Sequence, residues 1–196
     1  MAQKKKKSGI GGTIVFVLLV AAVIVGIYMS LTRDKNDGKL EANVEVTEVS
    51  TLLNKDIAND YPGTVREVMK LYCRITQCLY SGEVSDDDAG RLIDQIRLLY
   101  SDELLAQNDQ NTMVGMALGE IKRYKAAGQT INSYSVAESG EIKYYREETP
   151  ARAIINIYFT IKNDKDKTFD RAYEEFVLTE DENSHWKIVG WRMAED

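Results

Sequence analysis

Residues 151–162 read Ala151-Arg152-Ala153-Ile154-Ile155-Asn156-Ile157-Tyr158-Phe159-Thr160-Ile161-Lys162, a pattern with a period of two. Ala153, Ile155, Ile157, Phe159 and Ile161 fall on one face, and Arg152, Asn156, Thr160 and Lys162 on the other. That alternation predicts a strand with one side in a core and the other in water. Downstream, Asn163–Lys167 is a charged turn, Thr168–Leu178 a second strand, Glu180–Ser184 another turn and Trp186–Met193 a last strand. Strict alternation in the last strand puts Trp186, Ile188 and Gly190 on one face and Val189 and Trp191 on the other. Upstream, Thr130–Glu138 and Glu141–Glu147 flank Ser139-Gly140 and predict a hairpin.

Before Gly128 the period is helical. After Pro62-Gly63, Thr64 and Glu67 have the spacing of a capping box. Val65, Val68, Met69, Tyr72, Ile75, Thr76 and Leu79 then recur at three- and four-residue steps. Ser81-Gly82 ends this helix. A second starts at Ser85, with Asp88 as its box partner, and presents Leu92, Ile93, Ile96, Leu99 and Tyr100. A third runs from about Thr112 to Ala126, with Met113, Ala117, Ile121 and Tyr124 on one face, and stops at Gly128. The predicted body is therefore an α+β domain with three helices packed on a curved antiparallel sheet of about four to six strands.

The first 60 residues are of another kind. No charged residue occurs from Ile10 to Leu31. As a helix this run would be about 33 Å long, enough for a hydrocarbon core of about 30 Å. A cleaved signal peptide would have an apolar region of about 7–15 residues ending in small side chains. This one ends Ile27-Tyr28-Met29-Ser30-Leu31. The expected organisation is a basic tail over 1–9, a transmembrane helix over 10–31, a linker over 32–60 and a globular domain over 61–196. The lipid bilayer is then the partner of residues 10–31. The Lys4–Lys7 cluster keeps the N-terminus in the cytoplasm, so the domain is expected outside the cell membrane. Ala22-x-x-x-Gly26 has the spacing that lets two such helices self-associate.

Charge narrows the partners. Seven Lys/Arg against two Asp leave residues 1–39 at +5, so with a total of -6 residues 40–196 carry -11. Such a body repels phosphate backbones, and no nucleic acid is expected. No metal or cofactor is expected either. Asp86, Asp87 and Asp88 point about 100° apart on a helix and suit its N-terminal dipole. His185 is the only histidine and reads as a turn residue. Asp164, Asp166, Thr168 and Asp170 echo a calcium loop, but Phe169 stands where the sharp-turn glycine would be. Cys73 and Cys78 on one helix would have Cα atoms about 8.6 Å apart, beyond the roughly 7 Å reach of a disulfide. They read as buried thiols.

Helices first, then a meander through Tyr173-Glu174-Glu175-Phe176-Val177-Leu178 and Glu182-Asn183-Ser184-His185 to Trp186-Lys187-Ile188-Val189-Gly190, resembles the nuclear transport factor 2-like superfamily. The likeness covers about Asp60 to Met193. The layout of basic tail, span and cone-shaped domain is similar to membrane-anchored bacterial members such as the VirB8-like subunits of secretion systems. The resemblance implies that the Trp186 face turns to the helices, and that the domain is a tethered binding or scaffolding module for a protein partner or small ligand. Its alternative implication is a cavity enzyme or ligand binder of the ketosteroid isomerase or dehydratase type. Tyr72 and Asp94 would then be the cavity candidates. No catalytic residue is otherwise assigned.

Overall fold

The computed structural model describes residues 47–194, which belong to a compact unit beginning at Val46. The expected tail over 1–9, the expected transmembrane helix over 10–31 and most of the expected linker lie outside the described residues. Among the described residues no helix is long and apolar enough to cross a membrane.

Among the described residues five α-helices precede five strands: α1 (Glu48–Leu53), α2 (Val65–Leu79), α3 (Asp86–Arg97), α4 (Asp102–Gln107), α5 (Gln110–Ala127), β1 (Gln129–Val136), β2 (Lys143–Tyr145), β3 (Arg152–Asn163), β4 (Thr168–Glu180) and β5 (Trp186–Met193). The architecture is α+β with an antiparallel sheet, and it has two helices more than the three expected. Both extra helices, α1 and α4, are six residues long. Helices that short complete less than two turns and give no readable period. α1 also corrects the linker, because Leu52 and Ile57 are buried at 1% exposure.

Caps fix where the chain turns helical. The Thr64 hydroxyl accepts from Glu67 N at 3.2 Å and donates to its carboxylate at 3.0 Å. Ser85 and Asp88 repeat the arrangement at 3.1 and 2.9 Å. Gly128 closes α5 in the left-handed region at φ 73°, where a glycine is least strained.

The strand order is β1-β3-β4-β5, and β2 also pairs with β3. The predicted hairpin does not form. β1 and β2 lie one after the other along β3, β1 against Ile157–Asn163 and β2 against Arg152–Ile154. Between them, Ser139–Glu141 makes a 3-10 turn with a Glu138/Glu141 capping box. That turn carries the chain onward instead of reversing it, and Ile142 is buried beyond it.

Ala153, Ile155, Ile157 and Phe159 of β3 join Phe176 and Leu178 of β4 and Trp186 and Ile188 of β5 in one core with Val68, Met69, Tyr72 and Ile75 of α2. The expected face of Trp191 is reversed. β5 pairs Ile188 with Leu178 but Gly190 with Val177, so Val189 is an extra residue. A β-bulge of this kind flips the alternation beyond it. Trp191 therefore stands opposite Phe176, on the helix-facing side.

The free edge of β5 is covered in part by the connection between α3 and α4. Ile188 N donates to Leu99 O at 2.8 Å and Ser101 N to Ile188 O at 2.9 Å. This docking holds Tyr100 beside the end of the sheet.

Trp186 is 7% exposed, whereas Phe169 is 59% exposed. Trp186→Ala is expected to cost about 3–5 kcal/mol and Phe169→Ala well under 1. Urea titration of both variants measures this, and similar small effects at the two positions would contradict the packing described.

Candidate functional site

Amid the apolar residues on the helix-facing side of the sheet stands one half-buried carboxylate. In β4, Ala172, Glu174, Phe176 and Leu178 share that side, and Glu174 stands opposite Ile157 of β3 and Met193 of β5. Glu174 is half-buried. Its Oε2 is shut off from solvent and has no hydrogen-bond partner. Among the described residues it forms no ion pair.

Four aromatic rings are linked beside it. Tyr72 of α2 meets Phe176 edge-on at 5.0 Å between centroids, and Phe176 stacks on Trp191 at 5.6 Å with an interplanar angle of 17°. Tyr100 lies 6.0 Å from Trp191. Tyr72 and Tyr100 are buried, while Trp191 is 44% exposed and Met193 67%, so the group opens to solvent on the β5 side.

The electrostatics follow from burial and like charge. Desolvation, then repulsion from Glu120 of α5, pushes the Glu174 carboxyl up to about 7. Burial pushes the Tyr72 and Tyr100 hydroxyls up, with the Glu174 carboxylate adding to both. The same carboxylate acts on Tyr124 of α5 and Cys73 of α2. Chemically, the arrangement offers a carboxyl that can exchange a proton near neutral pH, flanked by neutral phenols and an aromatic wall.

Of the residues expected from the sequence, Tyr72 belongs to this group and Asp94 does not. Asp94 is exposed and accepts from Gln110 Nε2 at 2.7 Å, tying α3 to the first turn of α5. Ala89, Leu92, Ile93 and Ile96 turn inward, which leaves Asp94 on the opposite side of α3. Glu174 was missed, although a signal existed: it sits two residues before Phe176 and four before Leu178, in phase with the buried side of the strand.

Other candidates have local explanations. His185 stacks on Tyr61 at 4.3 Å, and its N–H donates to Asp181 Oδ1 at 2.9 Å. Cys73 and Cys78 are free and buried, and burial pushes Cys78 up to about 11. Among the described residues no group of three or more His, Cys, Asp or Glu could hold a metal ion. A groove of about 490 Å³ beside α2 is lined by Lys55, Asp60, Tyr61, Glu67, Lys70 and Arg74. Its cations are largely met by carboxylates, as in Lys55–Asp60 at 3.2 Å and Arg74–Glu48.

Residues 1–191 match the family described as a domain of unknown function, DUF6715, and the chain belongs to that family. No curated protein matches it.

The Glu174 shift has a sign that can be measured. The folded carboxyl titrates near 7 and an ordinary one near 4.5, so the native state holds its proton longer. This contribution to stability is fully present below about pH 4.5 and is lost as pH rises through about 7. At about 1.4 kcal/mol per pH unit the loss is at most about 3 kcal/mol, reduced to roughly 1–2 by the group's partial solvation. Between pH 5 and pH 8 the natural chain is expected to lose that much more stability than Glu174→Gln. Equal changes in the two urea midpoints would contradict the burial of this carboxyl.

Proposed function

We propose that the protein is a membrane-tethered, extracytoplasmic binding module whose helix-facing sheet surface, around Glu174 and Trp191, takes a small ligand. The observation that carries this reading is a carboxylate oxygen with no partner on the packed side of the sheet, near a half-exposed tryptophan. A chain that optimised stability alone would place an apolar side chain there, since an unpartnered buried polar atom costs about 1–3 kcal/mol. Functional surfaces are where such costs are tolerated.

Support for the tether is the uncharged run over 10–31, and support for its orientation is the Lys4–Lys7 cluster. Helices first, a sheet after, and a polar group on the helix-facing side of that sheet support the likeness to the nuclear transport factor 2-like superfamily.

A second reading is a proton-transfer enzyme using the same residues. It is favoured by one feature, a carboxyl near pH 7 beside phenolic donors, which suits a general base. The binding reading ranks first because Trp191 and Met193 open this group to solvent at the β5 end, whereas no phenol is hydrogen-bonded to Glu174 Oε2.

Native mass spectrometry of the full-length chain with a mixed small-molecule library tests the binding reading. One-to-one adducts are expected, and Trp191→Ala and Glu174→Gln should diminish them. A chain that takes no adduct, or whose adducts survive both substitutions, would contradict the assignment. For orientation, protease added to intact protoplasts should digest the domain, and survival until lysis would place it inside.

A further inference from the structure

We propose that the sheet face turned away from the helices docks on a bilayer surface carrying anionic phospholipid headgroups. The inference rests on the membrane-tethered reading and adds a second contact with the membrane, made by the folded domain itself. Alternation sends Ala153, Ile155, Phe176 and Leu178 towards the helices, and the register then fixes the opposite face. Lys143 of β2, Arg152 and Lys162 of β3, Arg171 of β4 and Arg192 of β5 lie on it. Glu175 is the one acid among the described strand residues of that face, and it pairs with Arg192 at 2.6 Å. Even with the rim carboxylates Glu148, on Arg152, and Asp164, on Lys162, this face stands at +2. Residues 40–196 sum to -11, so the rest of the body stands at -13. The domain is electrically two-sided, which its total charge conceals.

Aromatic rings are interleaved with these cations. Tyr145, Tyr158, Tyr173 and Phe169 share the face. Arg152 lies 4.8 Å over the Tyr145 ring and Arg171 5.1 Å over that of Tyr158, while Phe169 is exposed. Partners of different chemistry meet this surface differently. A neutral apolar partner leaves the cations unanswered. An acidic polymer answers the cations and gives Phe169 nothing. An anionic bilayer uses both, because phosphates meet Lys and Arg while aromatic rings settle at the headgroup level. The tether favours the bilayer further. Residues 32–46 span at most about 50 Å when fully extended, which keeps the domain at a high effective concentration beside the lipid. Acids on the helical side do not cancel the attraction. They lie a packed layer away, roughly 10 Å or more, against a Debye length of about 8 Å at physiological salt.

The test holds the full-length chain in lipid nanodiscs, made of phosphatidylcholine alone or with phosphatidylglycerol as the anionic lipid. A nitroxide on Asn156→Cys reports on the middle of the face, where Asn156 is exposed. One on Gly119→Cys reports on α5, where an added Cβ meets nothing within 4 Å. Cys73 and Cys78 are buried, and the natural chain treated with the same label gives the background. Collision with an aqueous nickel chelate is read by electron paramagnetic resonance. Phosphatidylglycerol is expected to shield the label at 156 and leave the label at 119 open. Salt at about 1 M should reopen the first, since the Debye length falls to about 3 Å. Lys143→Gln with Arg192→Gln should move the docked equilibrium about 25-fold towards the open form, about fivefold for each cation.

Equal access at 156 in the two lipids would overturn the proposal. Shielding that persists in phosphatidylcholine and in high salt would also overturn it, because charge would not be what holds the face. Protection of 156 by soluble poly-glutamate, with none from phosphatidylglycerol, would make an acidic polymer the partner in place of the bilayer. The tether is read separately, by whether the chain stays with phosphatidylcholine nanodiscs on gel filtration. A chain that leaves them contradicts the tether. Docking on phosphatidylglycerol discs that the two substitutions abolish would then still uphold the face.

Discussion

The pairing of β3 with β4 is the constraint from which the rest follows. Twelve residue pairs run from Arg152↔Thr179 to Asn163↔Thr168 without a break. This register places Ile155 opposite Phe176 and Ala153 opposite Leu178, so one side of both strands is apolar and receives α2. A slip of one residue would turn every one of those side chains to water. The same register puts Glu174 opposite Ile157, on the packed side. The core and the half-buried glutamate at its margin are thus set by a single alignment.

Two departures from regularity then shape what surrounds that glutamate. The bulge at Val189 returns Trp191 to the helix-facing side, where it stacks on Phe176. The α3–α4 connection, hydrogen-bonded to Ile188 on both sides, brings Tyr100 up to the same tryptophan. Neither device is needed to close the core, which is already filled by Phe176, Leu178 and Ile188 at 0% exposure. Their common effect is an aromatic wall at the solvent end of the sheet, beside a carboxyl that is costly to ionise.

Much of this was legible in the residues. The period of two over Ala151–Lys162 yields β3 nearly to the residue, and both capping boxes lie where Thr64/Glu67 and Ser85/Asp88 place them. Tyr72 could be assigned to the interior from helical spacing alone. Elements shorter than their own period were not legible, as with α1 and α4. Nor was the bulge, because an extra residue in one strand is recognised only against its partner. That one insertion is why Trp191 was read on the wrong face. Ser139-Gly140 suggested a reversal, but the Glu138/Glu141 box stabilises a turn that continues forward. Asp94 was a candidate only through the resemblance, and helical geometry turns it away from the buried Ile93 and Ile96.

The account stands on the state of one carboxyl, and that state can be observed directly. Carbon-13 NMR of the chain labelled at the glutamate side-chain carboxyl, with the Glu174 resonance assigned by Glu174→Gln, follows its protonation through a pH titration. A midpoint near 7, accompanied by shifts at Trp191, is the expected result, because desolvation and Glu120 both oppose the charge. A midpoint near the ordinary 4.5 would mean that Glu174 is solvated in the native protein, and the binding site proposed around it would have no basis.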